Sequence, residues 1–136
     1  WRADARGAIL GLSRGAGRAQ IARALVEALA FQVRAMTDAF ALAGATPTEL
    51  RADGGAAAMD LLMDLQATAS RLPVVRSASL EATARGAATI AGLGEGRLRD
   101  LDDVAALFEA DRRFEPGDAT SSDAGYNAWR RAVERA

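Results

Sequence analysis

The sequence predicts an α/β domain in which helix outweighs strand. Short apolar runs next to glycine or proline alternate with longer segments whose apolar residues recur every three to four positions. Strands that alternate with helices are typical of helices packed on a sheet. The chain has 136 residues, half of them hydrophobic, which is enough for one domain with a buried core. We therefore expect a single domain over residues 1–136 with a small sheet of about three strands.

The first third of the chain is predicted to hold one strand and one long helix. Residues 8–12 form the strand and residues 18–43 the helix. Gly44 and Pro47 end the helix, since glycine often closes a helix and proline cannot continue one. One stripe at helical spacing is predicted to face the core: Ile21, Leu25, Ala28, Leu29, Gln32, Met36 and Phe40. The opposite side is predicted to hold Arg23, Glu27, Arg34 and Asp38.

The middle of the chain is predicted to form a strand, a helix and another strand. Residues 49–52 are the second strand, and a double-glycine turn joins them to a helix over residues 57–72. Pro73 stops this helix. Residues 73–77 are then the third strand, with its two valines buried.

Three further helices are predicted towards the carboxyl end. Ser79 is the expected cap of a helix that ends near residue 93, and Gly86 in its interior predicts that another element packs closely there, because glycine costs about 1 kcal/mol relative to alanine. Asp100 is the expected cap of a short helix to about residue 110, and Ser121 or Ser122 that of the last. The residues expected to be buried on these two helices are Leu101, Val104, Leu107, Phe108, Tyr126, Trp129 and Val133.

The most informative feature for function is the pair Gly54-Gly55, at the junction of the second strand and the following helix. Glycine lets the backbone approach a ligand closely, and a helix start offers N–H groups and a positive dipole end, which suit a phosphate. Many Gly-Gly pairs are only turns, so a purely structural turn is the alternative.

Four carboxylates are candidates for magnesium binding or for a catalytic base: Asp4, Asp53, Asp60 and Asp64. Asp53 is the best placed, because it ends a strand beside the glycine pair. The favoured role of Asp53 is nevertheless structural, since aspartate readily accepts hydrogen bonds from turn N–H groups. No catalytic residue and no metal ligand are assigned to this chain.

Composition excludes several kinds of chemistry. The chain contains no lysine, histidine or cysteine, so it has no thiol nucleophile, imidazole base, Schiff-base lysine or disulfide. The net charge is −1, and the arginines are interspersed with acidic residues, so neither nucleic acid nor a membrane surface is an expected partner. No apolar stretch has the length of a membrane span, and no secretory signal is visible, which predicts a cytoplasmic location.

Several segments together resemble a known family. These are residues 6–15 (RGAILGLSRG), 21–32 (IARALVEALAFQ), 50–66 (LRADGGAAAMDLLMDLQ), 81–88 (EATARGAA) and 113–116 (RFEP). In this order and spacing the chain, from Trp1 to Ala136, resembles the carboxy-terminal domain of glycerol kinases in the FGGY family of carbohydrate kinases. The resemblance implies a helix-rich part of a ribonuclease H-like, actin-like ATPase domain. It also implies ATP, Mg²⁺ and a polyol such as glycerol as ligands.

The resemblance also implies positions of a nucleotide site. The glycine pair, Gly54 and Gly55, would lie against the nucleotide, with Gly55 next to the phosphates and adenosine. Four residues later the family usually has an asparagine that contacts the adenine, and here that position is Met59. The family's catalytic aspartate, phosphate loop and glycerol contacts belong to segments that would precede Trp1.

Two functions remain as hypotheses from the sequence. The first is a carboxy-terminal portion of an ATP-dependent glycerol or related carbohydrate kinase, inactive alone because its amino-terminal catalytic part is absent. The second is a non-catalytic binding or interaction module that keeps the kinase scaffold, which Met59 favours. An open sheet edge would also permit a homo-oligomer.

Overall fold

The computed structural model describes residues 6–79 and 81–135. Helix α1 spans Arg18–Leu42, α2 Asp60–Ser70, α3 Ala82–Gly94, α4 Leu101–Ala106 and α5 Ala119–Val133. Strand β1 spans Leu50–Ala52, β2 Val74–Ser77 and β3 Ala110–Phe114. A single turn of 3₁₀ helix, Gly55–Ala58, separates β1 from α2.

The three strands form one sheet in the order β1-β2-β3. Strands β1 and β2 run parallel, with Leu50 opposite Val74, and α2 is the crossover between them. Strand β3 pairs antiparallel with β2, with Phe114 opposite Val74, and a register shift interrupts the pairing at Arg76 and Ser77. Helix-rich α/β architecture with a three-stranded sheet confirms the predicted fold class.

The core lies between the sheet and the layer formed by α1, α2 and α5. Val74 on the central strand is fully buried, and an aromatic group of Phe31, Tyr126 and Trp129 joins α1 to α5. Alanine at several contact positions lets the helices approach closely. The buried hydrophobic residues of this core are Ala30, Phe31, Ala57, Leu62, Met63, Ala67, Ala69, Val74, Phe114 and Tyr126.

The predicted core stripe of α1 is wrong. Ala30 and Phe31 are the buried hydrophobic residues of this helix, and Val26 packs beside them against α2 and α5. Five members of the predicted stripe stay exposed: Leu25, Leu29, Gln32, Met36 and Phe40. The helix carries apolar residues on two faces, so periodicity alone does not say which face meets the core.

The predicted strand at residues 8–12 is also wrong. This segment is not in the sheet, and Ile9, Leu10 and Leu12 are each more than half exposed. A short apolar run becomes a strand only where it pairs with another strand, and residues 8–12 pair with none of the described strands. The third strand is instead β3, whose sequence Ala-Asp-Arg-Arg-Phe lacks an apolar pattern.

Several helix starts and burial predictions differ as well. Helix α3 begins at Ala82 rather than at Ser79, and Asp118, not Ser121 or Ser122, caps α5. Asp100 caps α4 as predicted, by accepting hydrogen bonds from the N–H groups of residues 102 and 103. That helix ends at Ala106, and Leu101 and Leu107 on this segment, together with Val133, are exposed.

Gly86 does not mark a close approach. A Cβ placed on it would meet no described atom within 4 Å. A close approach between helices lies instead at Gly125 of α5, where a Cβ would lie 3.0 Å from Cζ of Phe31. Here α1 and α5 pack so tightly that the ring occupies the space of a side chain.

Candidate functional site

The candidate site is the turn at the carboxyl end of β1, residues 53–59, which we call the glycine turn. Gly54 has φ 81° and ψ 170°, a conformation that is open essentially to glycine alone. The N–H of Ala57 donates to the carbonyl of Gly54 at 3.0 Å, which starts the 3₁₀ turn. The sequence therefore needs glycine at this position to leave the strand and enter the helical segment.

Gly54 and Gly55 both face open space. A Cβ placed on either one would meet no described atom within 4 Å, so the space in the side-chain direction of both glycines is open. The predicted glycine bend is thus present and accessible, whereas Ala57 behind it is buried in the core. A ligand could approach the backbone of the glycine turn from this open side.

Helix α2 begins directly after Met59, and no side chain caps its start. The N–H groups of Leu62 and Met63 donate to the carbonyl of Met59 at 3.0 and 3.2 Å. Met59 itself is 47% exposed beside the glycine turn. A half-exposed thioether is able to pack against a flat apolar surface, but it offers only a weak hydrogen-bond acceptor.

The carboxylates near the glycine turn differ in their partners. Asp60 accepts hydrogen bonds from Arg76 at 2.6 Å and Arg112 at 2.5 Å. The guanidinium of Arg76, with that of Arg112, holds the pKa of Asp60 below its usual range. Because both carboxylate oxygens of Asp60 bond arginines, this side chain is not available as a base.

Asp53 makes no side-chain hydrogen bond to any described residue, so the predicted turn-stabilising role is wrong. Asp64 lies exposed on α2, and Asp4 lies outside the described residues. Among residues 6–79 and 81–135, no group of three acidic, histidine or cysteine side chains could hold a metal ion.

A shallow groove of about 290 Å³ runs beside the glycine turn and the end of β2. Its volume lies at the lower end of the range of small-molecule sites. It is lined by Ala58, Arg76, Ser77, Ala78 and Asp111. Sequence reasoning missed Arg76 and Asp111 as members of this region, because only the antiparallel pairing of β2 with β3 brings them together.

The fold also matches domains of solved kinase structures. The chain superposes on xylulose kinase from Rhodospirillum rubrum with a TM-score of 0.82 and 28% identity, covering 97% of this chain and 28% of that one. It superposes on glycerol kinase from Plasmodium falciparum, whose structure contains ADP, with a TM-score of 0.77 and 32% identity. The coverage there is 99% of this chain and 28% of that one. The architecture is thus that of a sugar-kinase domain of the ribonuclease H-like, actin-like class.

Sequence comparison identifies the family. Residues 1–95 match the FGGY family of carbohydrate kinases, C-terminal domain, and the chain belongs to that family. It is 51% identical over 138 aligned positions to glycerol kinase from Aromatoleum aromaticum. That alignment covers 100% of this chain but only 28% of the relative, so the chain spans little more than a quarter of its length. None of the described helices has the length and apolar character needed to cross a membrane.

Proposed function

We propose that this chain is the carboxy-terminal portion of an ATP-dependent glycerol kinase, or of a kinase for a related polyol. The complete enzyme would transfer the γ-phosphate of ATP to a hydroxyl group of the polyol. The 51% identity to a glycerol kinase over the whole chain supports this proposal, as does the 32% identity and fold match to a glycerol kinase with ADP. The role of this portion is to supply one wall of the nucleotide site.

The observation that carries the proposal is the open backbone of Gly54 and Gly55 at the carboxyl end of β1. In open α/β sheets, ligands bind outside the carboxyl ends of the parallel strands. Helix α2 starts beside this turn without a side-chain cap, and a helix start offers N–H groups and a positive dipole end that suit a phosphate. We assign Gly54 and Gly55 to the phosphate and adenosine side of ATP or ADP.

Met59 is assigned to the adenine. Its half-exposed thioether gives the base an apolar contact in place of an amide hydrogen bond. Magnesium would accompany the nucleotide on its phosphate oxygens, since the described residues contain no cluster of three metal-ligating side chains. No step of phosphoryl transfer is assigned to a side chain of this portion.

Two exposed apolar surfaces support the proposal that a larger protein completes this domain. Leu25, Leu29, Met36 and Phe40 form an exposed face of α1, and the segment of residues 8–12 exposes three more large apolar side chains. Apolar surfaces of this kind typically mark an interface. The outer edge of β1 has no partner strand among the described residues, which leaves backbone groups open to pairing. We assign these surfaces to the amino-terminal part of the kinase, with a second copy of the chain as the other candidate partner.

A second candidate function is a non-catalytic module that keeps the kinase scaffold. Met59 favours it, because the replacement of an amide by a thioether removes a hydrogen bond to the base. This alternative predicts that the glycine turn binds no nucleotide. The two proposals therefore differ in a single measurable property, the affinity for ATP.

Thermal unfolding with and without MgATP tests the difference. At millimolar MgATP we expect the midpoint of unfolding to rise in the parent chain, since a ligand that binds only the folded state stabilises it. Gly55→Asp should abolish this rise by placing a negative charge against the phosphates. Gly94→Asp, at an equally open glycine of α3, is the control and should keep it. An unfolding midpoint of the parent chain that does not change on addition of MgATP would favour the non-catalytic module.

An assay of ADP release with glycerol tests the division of labour. We expect no turnover from this chain alone, because it spans only 28% of its glycerol kinase relative and phosphoryl transfer needs a base, phosphate donors and a metal site together. Turnover at ordinary kinase rates by the purified chain would contradict the proposal that catalysis needs a further part of the protein.

A further inference from the structure

Arg76 is the most highly connected side chain near the glycine turn. It lies on β2 with only 14% of its side chain exposed. Its Nη1 donates to Oδ1 of Asp60 at 2.6 Å and to the backbone carbonyl of Ala57 at 3.2 Å. Its Nε donates to Oδ2 of Asp111 at 2.6 Å. One guanidinium therefore joins the central strand to the glycine turn and to β3.

Two of these contacts, with Ala57 and Asp60, lie on either side of Met59. Ala57 belongs to the 3₁₀ turn, and Asp60 is the first residue of α2. A donor that bonds both sides of a bend restricts the backbone between them. The bond to the carbonyl of Ala57 matters most in this respect, because it fixes the main chain directly and not through a side chain.

Arg112 completes the arrangement from the neighbouring strand. It lies opposite Arg76 in the β2–β3 register, and its Nη1 donates to the second carboxylate oxygen of Asp60 at 2.5 Å. Like charges directly opposite in a sheet repel each other. The carboxylates of Asp60 and Asp111 offset this repulsion and keep both guanidinium groups directed towards the bend.

We propose that Arg76 is a positioning residue for nucleotide binding, which holds residues 57–60 in the conformation that presents Gly55 and Met59 to the ligand. This inference rests on the function proposed above. Its role is indirect, since Nε and Nη1 of Arg76 bond protein acceptors around the bend. A fixed bend reduces the ordering cost of binding, so loss of Arg76 weakens nucleotide affinity.

Arg113 offers a matched control. It lies next to Arg112 on β3 and also bonds two carboxylates, Glu49 at 2.5 Å and Glu115 at 2.6 Å. It joins β3 to the residue before β1 and forms no hydrogen bond or ion pair with residues 53–60. Removal of Arg113 therefore disturbs a similar pair of ion pairs and leaves the glycine turn alone.

The first arm of the test compares amide NMR spectra of the ligand-free chain and its variants. Arg76→Met should move the resonances of residues 55–60, whereas Arg113→Met should move only those of its own neighbours. Arg76→Lys keeps the charge and most of the packing, but lacks the planar fork needed for three acceptors, so it should move the same resonances. If Arg76→Met does not fold, the comparison is made with Arg76→Lys. Unchanged resonances of residues 57–60 in a folded Arg76 variant would overturn the inference.

The second arm is a titration of the same samples with MgADP. Both Arg76 variants should bind ADP about tenfold more weakly than the parent, and Arg113→Met within about twofold of it, as expected for loss of preorganisation. Equal ADP affinity in the parent and the Arg76 variants would overturn the inference while leaving the proposed function intact. A parent chain that shows no response to MgADP would instead overturn the proposed function itself.

Discussion

At the scale of single residues, glycine has three different roles in this chain. Gly54 adopts a backbone conformation that other residues avoid, Gly55 faces open space, and Gly125 makes room for the ring of Phe31. The bend at the glycine pair was predictable from the sequence, because its position between a strand and a helical segment is a local pattern. It could not separate Gly86 from Gly125, since close packing depends on which helix lies opposite.

Alanine substitution separates the roles of the two adjacent glycines. Gly54→Ala should lower the free energy of unfolding by about 1–3 kcal/mol, because Cβ strains the backbone at φ 81°. Gly55→Ala should change it by no more than about 0.5 kcal/mol, since a Cβ there meets nothing. Urea denaturation measures both. Equal losses in the two variants would show that Gly54 does not need its special conformation.

A second pair of variants tests the close approach of α1 and α5. Gly125→Ala should destabilise the chain by about 1 kcal/mol, because overpacking against Phe31 outweighs the gain in helix propensity. Gly86→Ala should stabilise it by about 0.5–1 kcal/mol, since the space around it is open. Thermal unfolding of both variants gives the sign. A stabilising Gly125→Ala would mean that the ring of Phe31 moves aside at little cost.

At the scale of elements, the helices were easier to predict than the strands. The predicted bounds of α1 agree with the observed ones to within one residue. Its 25 residues have helical periodicity, and Gly44 follows its end with a positive φ. Strand β3 was missed because its exposed positions are charged, and it is held by pairing with β2 rather than by its own apolar pattern. The same pairing brings Arg76 together with Asp111 and Arg112, and no local sequence pattern predicts this. Residues 8–12 show the converse, an apolar run without a partner strand among the described residues.

The two apolar faces of α1 give a direct test at this scale. Phe31→Ala should lower the free energy of unfolding by about 3–5 kcal/mol, because this ring packs against Tyr126 and Trp129 in the core. Phe40→Ala, on the exposed face of the same helix, should cost about 1 kcal/mol or less. Denaturant titration compares the two variants. A larger loss of unfolding free energy for Phe40→Ala than for Phe31→Ala would show that the face predicted from periodicity is the buried one.

At the scale of the whole molecule, ion pairs hold neighbouring elements together. Asp123 of α5 accepts from Arg34 of α1 at 2.7 Å and also bonds Arg71 after α2. Arg34 also lies over the ring of Tyr126, at 4.1 Å from its centroid. The guanidinium of Arg34, with that of Arg71, holds the pKa of Asp123 below its usual range. These pairs couple the packing of the three helices to pH.

The stability of the chain should therefore depend on pH in the acid range. The pKa of Asp60 and of Asp123 is lower in the folded state, so the unfolded chain binds more protons as pH falls below about 4. Stability should be lost there and stay nearly constant between about pH 6 and 8, because the chain has no histidine. Asp123→Asn should lessen the acid loss measured by urea denaturation at several pH values. An unchanged acid slope in this variant would contradict the assignment.

The central claim is that the glycine turn forms one wall of a nucleotide site, and paramagnetic broadening by Mn²⁺–ADP tests it most directly. Manganese replaces magnesium on the phosphates and broadens nearby amide signals, and a parallel sample with manganese alone corrects for binding to surface carboxylates. The account predicts that ADP-dependent broadening centres on the amides of residues 54–59. Broadening that is absent, or that centres elsewhere on the chain, would contradict it.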